Sequence, residues 1–511
     1  MLAKLFGKKS DHPMSDLKSA QGLLDELPKN DDYKSLMELT DWMESVSSST
    51  EFKLDHQLAL IFMIDEAAYV HTRKLTREYF VEHELSQFQE NRLWLVLGNW
   101  YRRSREGYYH VFTRYCDGDK VSSAMKAKLP LLAARTLRAM TLELKYICVR
   151  YGAIDRGYWM MLAKLYKHAE RELFLDTAVA LYPAMPQATS VKLEAGCLLA
   201  WYGCGVSSLP PLGMHITERI IAQHYVLVSV HSQPSSQSLL GFDLNGATPP
   251  HRVNVDATLH PYMRFVGLAA MLPALEHLLK ILDKDIVPDD LLLGGEYEAA
   301  VVQQSAQYLY KFIKTLPQRR VPRRAINISI KVVSGYNKIV DTTQINLDFH
   351  PSQSVDWQIQ DISSIGFHAI LPEQGNREVS IGQVLGIQAE GVRHWGVAVV
   401  RRLMRGENHQ VHVGAEIISN QISGVSLHMS GAGAAMEQQA LWLYPKAGED
   451  DGAEINLLMK SDAYQNNCSY QAEVGGKHLL LLPQGVLQKN VDCDLVRFRV
   501  VEQQASEVEE Q

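Results

Sequence analysis

The sequence predicts an α+β chain of several domains: a helical first half, then a small antiparallel β-barrel, then a smaller β module. Three observations predict it. Apolar residues recur at helical spacing through much of residues 1–315. From Ala325 the pattern switches to a period of two, the signature of half-buried strands. At 511 residues the chain also exceeds what one hydrophobic core usually organises.

The helical reading rests on particular runs. Leu54, Leu58, Leu60, Ile61, Ile64 and Ala68 share one face between residues 52 and 80. Similar patterns cover residues 122–151, 158–174, 260–282 and 296–315, and Pro130 starts or kinks the first of these. Trp159, Leu162, Ala163, Leu165, Tyr166 and Ala169 resemble the first helix of a tetratricopeptide repeat. No fixed period returns, so the region reads as an irregular α-solenoid or bundle with those aromatics in its core. Residues 225–230 and 239–244 read as strands, a small β insertion at about 222–256.

In the second half, Ile326, Ile328, Ile330 and Val332 alternate with polar residues. Strand-like runs follow at 357–362, 366–371, 384–389, 396–400 and 411–418, as expected for a barrel over residues 316–435. Gly431, Ala432 and Gly433 read as a flexible connection to the second β module, residues 436–502. Its strands are expected at 441–443, 454–460, 470–473, 477–482 and 495–500. Residues 503–511 are rich in Gln and Glu and read as a disordered tail.

Composition excludes several functions. The chain is 46% hydrophobic and 21% charged, ordinary for a globular protein, and its net charge of −7 argues against a general nucleic-acid binder. Six scattered cysteines, Cys116, Cys148, Cys197, Cys204, Cys468 and Cys493, form neither a zinc knuckle nor a redox dithiol, and reduced thiols in the cytoplasm are expected. No apolar run reaches the length of a transmembrane segment, and the first residues lack a signal-peptide pattern. The opening Leu2, Leu5 and Phe6 among lysines read as a frayed terminus or an amphipathic surface anchor. His350, His368, His394, His409 and His412 have no ligand-like spacing, so no metal site is expected. Neither a phosphate-binding Gly-rich loop nor a nucleophile elbow is present, and the chain is not expected to be an enzyme.

The densest chemical signal lies where helix gives way to strand. Arg319, Arg320, Arg323 and Arg324 flank Pro322, and four guanidiniums on a loop can surround a phosphate and stack on a base. A solvated basic linker is the plainer alternative. Downstream, Asp361, Ser363 and Gly366 sit between two strand runs. A carboxylate there can accept from a guanine edge, whereas the same residue types also simply make a turn.

Together these two segments resemble the PilZ family of cyclic di-GMP receptors. That family carries Arg-x-x-x-Arg just before its first barrel strand and Asp/Asn-x-Ser-x-x-Gly at a later turn. Arg320 and Arg324 match the first pattern, as do Arg319 and Arg323 one residue earlier; the first register leads directly into the strand from Ala325. Asp361, Ser363 and Gly366 match the second pattern in full. The likeness covers residues 316–420, with residues 341–356 longer than the family's pattern, an inserted hairpin or loop.

The resemblance implies a PilZ-like antiparallel β-barrel that binds cyclic di-GMP and needs no resident cofactor. Arginines would wrap the phosphates, Asp361 and Ser363 would read the guanine edge, and Gly366 would let the backbone turn close to the ligand. It also implies that ligand level is relayed to a protein partner through the helical region, affecting motility, pili or biofilm. The alternatives are a degenerate PilZ-like interaction scaffold that binds no nucleotide, and an RNA-binding barrel whose affinity would fall steeply with salt.

Overall fold

The computed structural model describes residues 12–81, 85–185, 187–253, 260–315, 321–344, 354–372, 379–406, 410–430, 437–445 and 454–503. The chain divides into two units, Met1–Pro317 and Gln318–Gln511.

The first unit is mainly helical. It runs through α1 (Leu17–Asp25), α2 (Asp32–Ser48), α3 (Leu54–Val81), α4 (Gln87–Cys116), α5 (Ser123–Lys126), α6 (Leu129–Cys148) and α7 (Arg156–Arg171). After a short hairpin of β1 (Val179–Ala180) and β2 (Ala188–Thr189) come α8 (Val191–Gly203) and α9 (Pro211–Gln223). The starts follow local chemistry. Asp16 caps α1, Ser86 and Gln89 form a reciprocal capping box on α4, and Ser190 caps α8. Pro130 stands at the start of α6, where its missing N–H costs nothing. On α7, Trp159, Leu162, Leu165, Tyr166 and Ala169 are all buried, core residues as their spacing predicts.

Charged side chains are buried in this core as satisfied groups. Arg135, 2% exposed, donates to Glu66 at 2.6 Å and to the Leu181 carbonyl at 2.7 Å. Lys145 Nζ donates to Glu218 at 3.1 Å and to His215 Nδ1 at 3.3 Å, while the His215 ring stacks on Phe80. Burial opposes ionisation of Glu218, but Lys145 and Arg219 hold its carboxyl down to about 2.

Four strands follow α9: β3 (Ser229–His231), β4 (Ser238–Asp243), β5 (His251–Arg252) and β6 (Met263–Gly267), ordered β3-β6-β4-β5. Here the sequence pattern misleads in three places. Residues 225–227 form a 3-10 turn, so the expected strand shrinks to β3. The returning strand β4 pairs with β6, not with β3. The helical pattern assigned to residues 260–282 begins with a strand: all five residues of β6 are buried, so it shows no alternation, and the helix α10 (Leu272–Leu282) starts only afterwards. The unit closes with α11 (Ala299–Lys314). No helix of the described residues is long and apolar enough to cross a membrane.

The second unit holds two closed six-stranded antiparallel barrels. The first contains β7 (Arg324–Ser334), the helix α12 (Tyr336–Gln344), β8 (Val355–Ser363), β9 (Gly366–Pro372), β10 (Val384–Ala389), β11 (Gly396–Arg405) and β12 (Gln410–Ser419). Its strand order is β10-β11-β12-β9-β8-β7, closed by β10 against β7. Inward residues such as Trp357, Ile359, Phe367, Ala369, Val413 and Ala415 are buried, and their neighbours face outward.

The second barrel comprises β13 (Ile422–Ser430), β14 (Glu437–Leu443), β15 (Glu454–Lys460), β16 (Ser469–Val474), β17 (Lys477–Lys489) and β18 (Cys493–Glu502). Its order is β13-β14-β15-β18-β17-β16. The boundary expected at residue 435 therefore falls earlier. β13 pairs with β14 and β16, so Gly431, Ala432 and Gly433, which lie outside the described residues, join strands of one barrel and not two modules.

The expected insertion begins as α12, with residues 345–353 outside the described residues. This helix joins the barrels. Tyr336 N donates to Asp492 Oδ2 at 2.7 Å, and its hydroxyl reaches the Gln439 and Leu458 carbonyls at 2.8 and 3.2 Å. Tyr336, Ile339 and Val384 from one barrel share a continuous core with Leu441, Leu458 and Cys493 from the other.

Candidate functional site

The site lies where β7 begins. Pro322 fixes its own backbone and lacks a donor, so ladder pairing starts only at Arg324, opposite Ile362, and Ala325 stands opposite Asp361. Arg323, one residue before the strand, donates from Nη1 to Asp361 Oδ1 at 2.8 Å. The two segments singled out in the sequence are thus joined by an ion pair. Of the two described arginines it is Arg323 that reaches Asp361, although the register favoured on sequence grounds was Arg320 with Arg324. Arg319 and Arg320 lie outside the described residues.

Asp361, Ser363 and Gly366 occupy the β8–β9 hairpin, in which Ser363 pairs with Gly366 across a two-residue turn. The Ser363 hydroxyl donates to the Gly366 carbonyl at 3.1 Å and accepts from Ile365 N at 3.4 Å, clasping the turn. Gly366 does not adopt a positive φ. A Cβ there would meet the Ala415 carbonyl oxygen of β12, so the glycine is required by close packing of two strands and not by the backbone turn that the sequence suggested.

The register adds two residues that sequence spacing did not connect. His368 stands opposite both Asp361 and Gly414, and its Nδ1 lies 3.4 Å from Asp361 Oδ2. Its Nε2 is 3.2 Å from His412 Nδ1, with the two rings nearly parallel. Burial, and next the nearby His368, press the His412 imidazole below its ordinary value. Alternation in β9 and β12 puts both histidines on the outer face, but only the strand register shows that they meet.

The outer face of the first barrel thus carries a chain of polar contacts from Arg323 through Asp361 and His368 to His412. It gathers guanidinium donors, a carboxylate acceptor and imidazoles with parallel rings, groups able to meet an anion or the edge of a base. Among the described residues, no group of three or more His, Cys, Asp or Glu side chains is placed to hold a metal ion. A cleft of about 320 Å³ lies in the first unit between β2 and β3, lined among others by Asp176, Lys192 and His231.

Residues 18–234 match the family model of the N-terminal domain of the cyclic-di-GMP receptor FimW. That stretch, and not the chain as a whole, is similar to the N-terminal domain of a cyclic-di-GMP receptor. The FimW-type match covers most of the helical unit, from α1 through β3, and does not extend to either barrel. The family is one of receptors. No curated protein and no solved structure matches the chain.

Proposed function

We propose that this chain is a cytoplasmic receptor for cyclic di-GMP that binds the nucleotide on the outer face of its first barrel and relays its level to a protein partner through the helical unit. Arg319, Arg320, Arg323 and Arg324 surround the phosphates and stack on guanine, while Asp361 and Ser363 face the base edge and Gly366 keeps the hairpin tight against β12. The chain acts by binding and not by catalysis, and the output is motility, pili or biofilm formation.

The observation that carries this reading is the 2.8 Å pairing of Arg323 with Asp361, which brings the arginine segment and the β8–β9 hairpin together. Support also comes from a separate part of the chain. The FimW-type match falls on residues 18–234, whereas the PilZ resemblance falls on residues 316–420, and both point to the same ligand. A second reading, a barrel that binds only protein, draws on the commitment of Ser363 and Gly366 to the hairpin.

Calorimetric titration of the purified chain with cyclic di-GMP decides between them, with cyclic di-AMP and GTP as controls. The receptor reading expects micromolar or tighter binding, roughly −8 kcal/mol. Absence of heat from folded protein at tens of micromolar (roughly the range where such affinity saturates) would leave the scaffold reading.

A further inference from the structure

We propose that His368 and His412 share one proton, and that this proton tunes nucleotide affinity by deciding whether Asp361 needs Arg323. The inference deepens the receptor reading and rests on it. His368 is a positioning residue, acting on the ligand through Asp361 and Arg323.

The carboxylate of Asp361 has two neighbours, Arg323 on Oδ1 at 2.8 Å and His368 Nδ1 at 3.4 Å from Oδ2. A neutral His368 that donates through Nδ1 must accept through Nε2, where His412 Nδ1 stands 3.2 Å away. One added proton enters at His412 Nε2 while the His412 Nδ1 proton passes to His368 Nε2, so that His368 becomes an imidazolium that donates in both directions, to Asp361 and to His412 Nδ1. A second proton would place two cations at the same short separation, so the pair carries either no charge or one across the ordinary histidine range. Burial and the neighbouring His368 press the His412 imidazole below its ordinary value, and the Asp361 carboxylate, 3.4 Å from His368 Nδ1, draws the shared proton toward His368.

The protonated state changes what Arg323 can do. With His368 cationic, Asp361 is compensated without the guanidinium, and Arg323 is released toward a phosphate. The imidazolium also adds positive charge beside the arginine segment. Both effects favour an anionic ligand, so protonation and nucleotide binding are positively linked. Gly414, between His368 and Arg402 in the cross-strand row, leaves this outer face without a side chain there.

Other charged groups near the pair are Arg324 at the start of β7, Arg402 and Arg405 on β11, and Glu416 on β12, which Arg401 holds at 2.8 Å. Carboxylates and guanidiniums ordinarily keep their charge between about pH 6 and 8. The phosphodiesters and guanines of cyclic di-GMP also keep theirs across that window.

The test is calorimetric titration of the full chain with cyclic di-GMP at about pH 6 and about pH 8, for the native protein and for His368→Gln. The native protein is expected to bind about fivefold more tightly at the lower pH, the low end of typical coupling between two sites. His368→Gln, checked for an unchanged thermal melt, is expected to lose that difference. Proton titration of the His368 ring by NMR gives a second readout in the unmutated protein, and saturating ligand should raise its midpoint. Equal native affinity at both pH values, a variant that keeps the full dependence, or a midpoint unmoved by ligand each overturn the inference while the receptor reading stands. Absence of binding at both pH values overturns the receptor reading and this inference together.

Discussion

Arg323 and Asp361 are 38 positions apart in sequence and make a 2.8 Å ion pair on the outer face of the first barrel. Both side chains keep contact with solvent, so the pair contributes at most about 1 kcal/mol to stability. Its importance is therefore expected in binding. Arg323→Ala should weaken cyclic di-GMP binding by about 1.5–3 kcal/mol while leaving the melting temperature nearly unchanged. Asp361→Ala should weaken binding in the same way. Calorimetry on both variants, with Arg324→Ala in parallel, also decides which arginine register is used.

Gly366→Ala should behave differently. The new methyl meets the Ala415 carbonyl, and two paired backbones cannot easily separate, so a destabilisation of about 1–3 kcal/mol is expected. Ser363→Ala removes the hairpin clasp and should cost about 1 kcal/mol. Denaturant unfolding of the two variants measures both effects. Full native stability in Gly366→Ala would show that the strands have room to spare.

Tyr336→Phe probes the junction between the barrels. The hydroxyl reaches two carbonyls of the second barrel, and the ring is 4% exposed. Losing it leaves buried acceptors short of a donor, and a loss of about 1–3 kcal/mol is expected. Both barrels should lose stability together in a thermal melt, because they share one core.

Acid should weaken the helical unit through His215. Burial first, then Lys145, pushes its imidazole down to about 3. The unfolded chain holds the same group near its ordinary value of about 6.5. Between these values the unfolded state binds a proton that the folded unit refuses. Stability is therefore intact above about pH 6.5 and is lost as pH falls toward 3, at up to about 1.4 kcal/mol per pH unit. Thermal melts between about pH 7.5 and 5 should show this slope, and His215→Gln should flatten it.

Much of this architecture is legible in the sequence because half-buried elements carry a period. Ile330 and Val332 announce β7, and Leu58, Ile61 and Ile64 announce α3. Illegibility has equally specific causes. The strand holding Phe265 and Val266 is buried on both faces and so loses its alternation. No alternation announces β13, because Gly424 and the serines at 423, 426 and 430 dilute its apolar pattern. At the site, the arginine segment and the Asp361 turn could be picked out by residue type. His368 and His412 could not, since their meeting depends on how β9 and β12 are aligned, which no local pattern encodes.

The wedge formed by α12 bears on how such proteins can be taken apart. A chain cut after Ser419 would bare Tyr336, Ile339, Val384 and Val397, side chains that now face Leu441 and Leu458. Such a fragment would present a sticky apolar face and would clump rather than stay in solution. The first barrel is therefore no detachable cassette. Any transfer of it to another protein, by recombination or by engineering, has to carry its neighbour along.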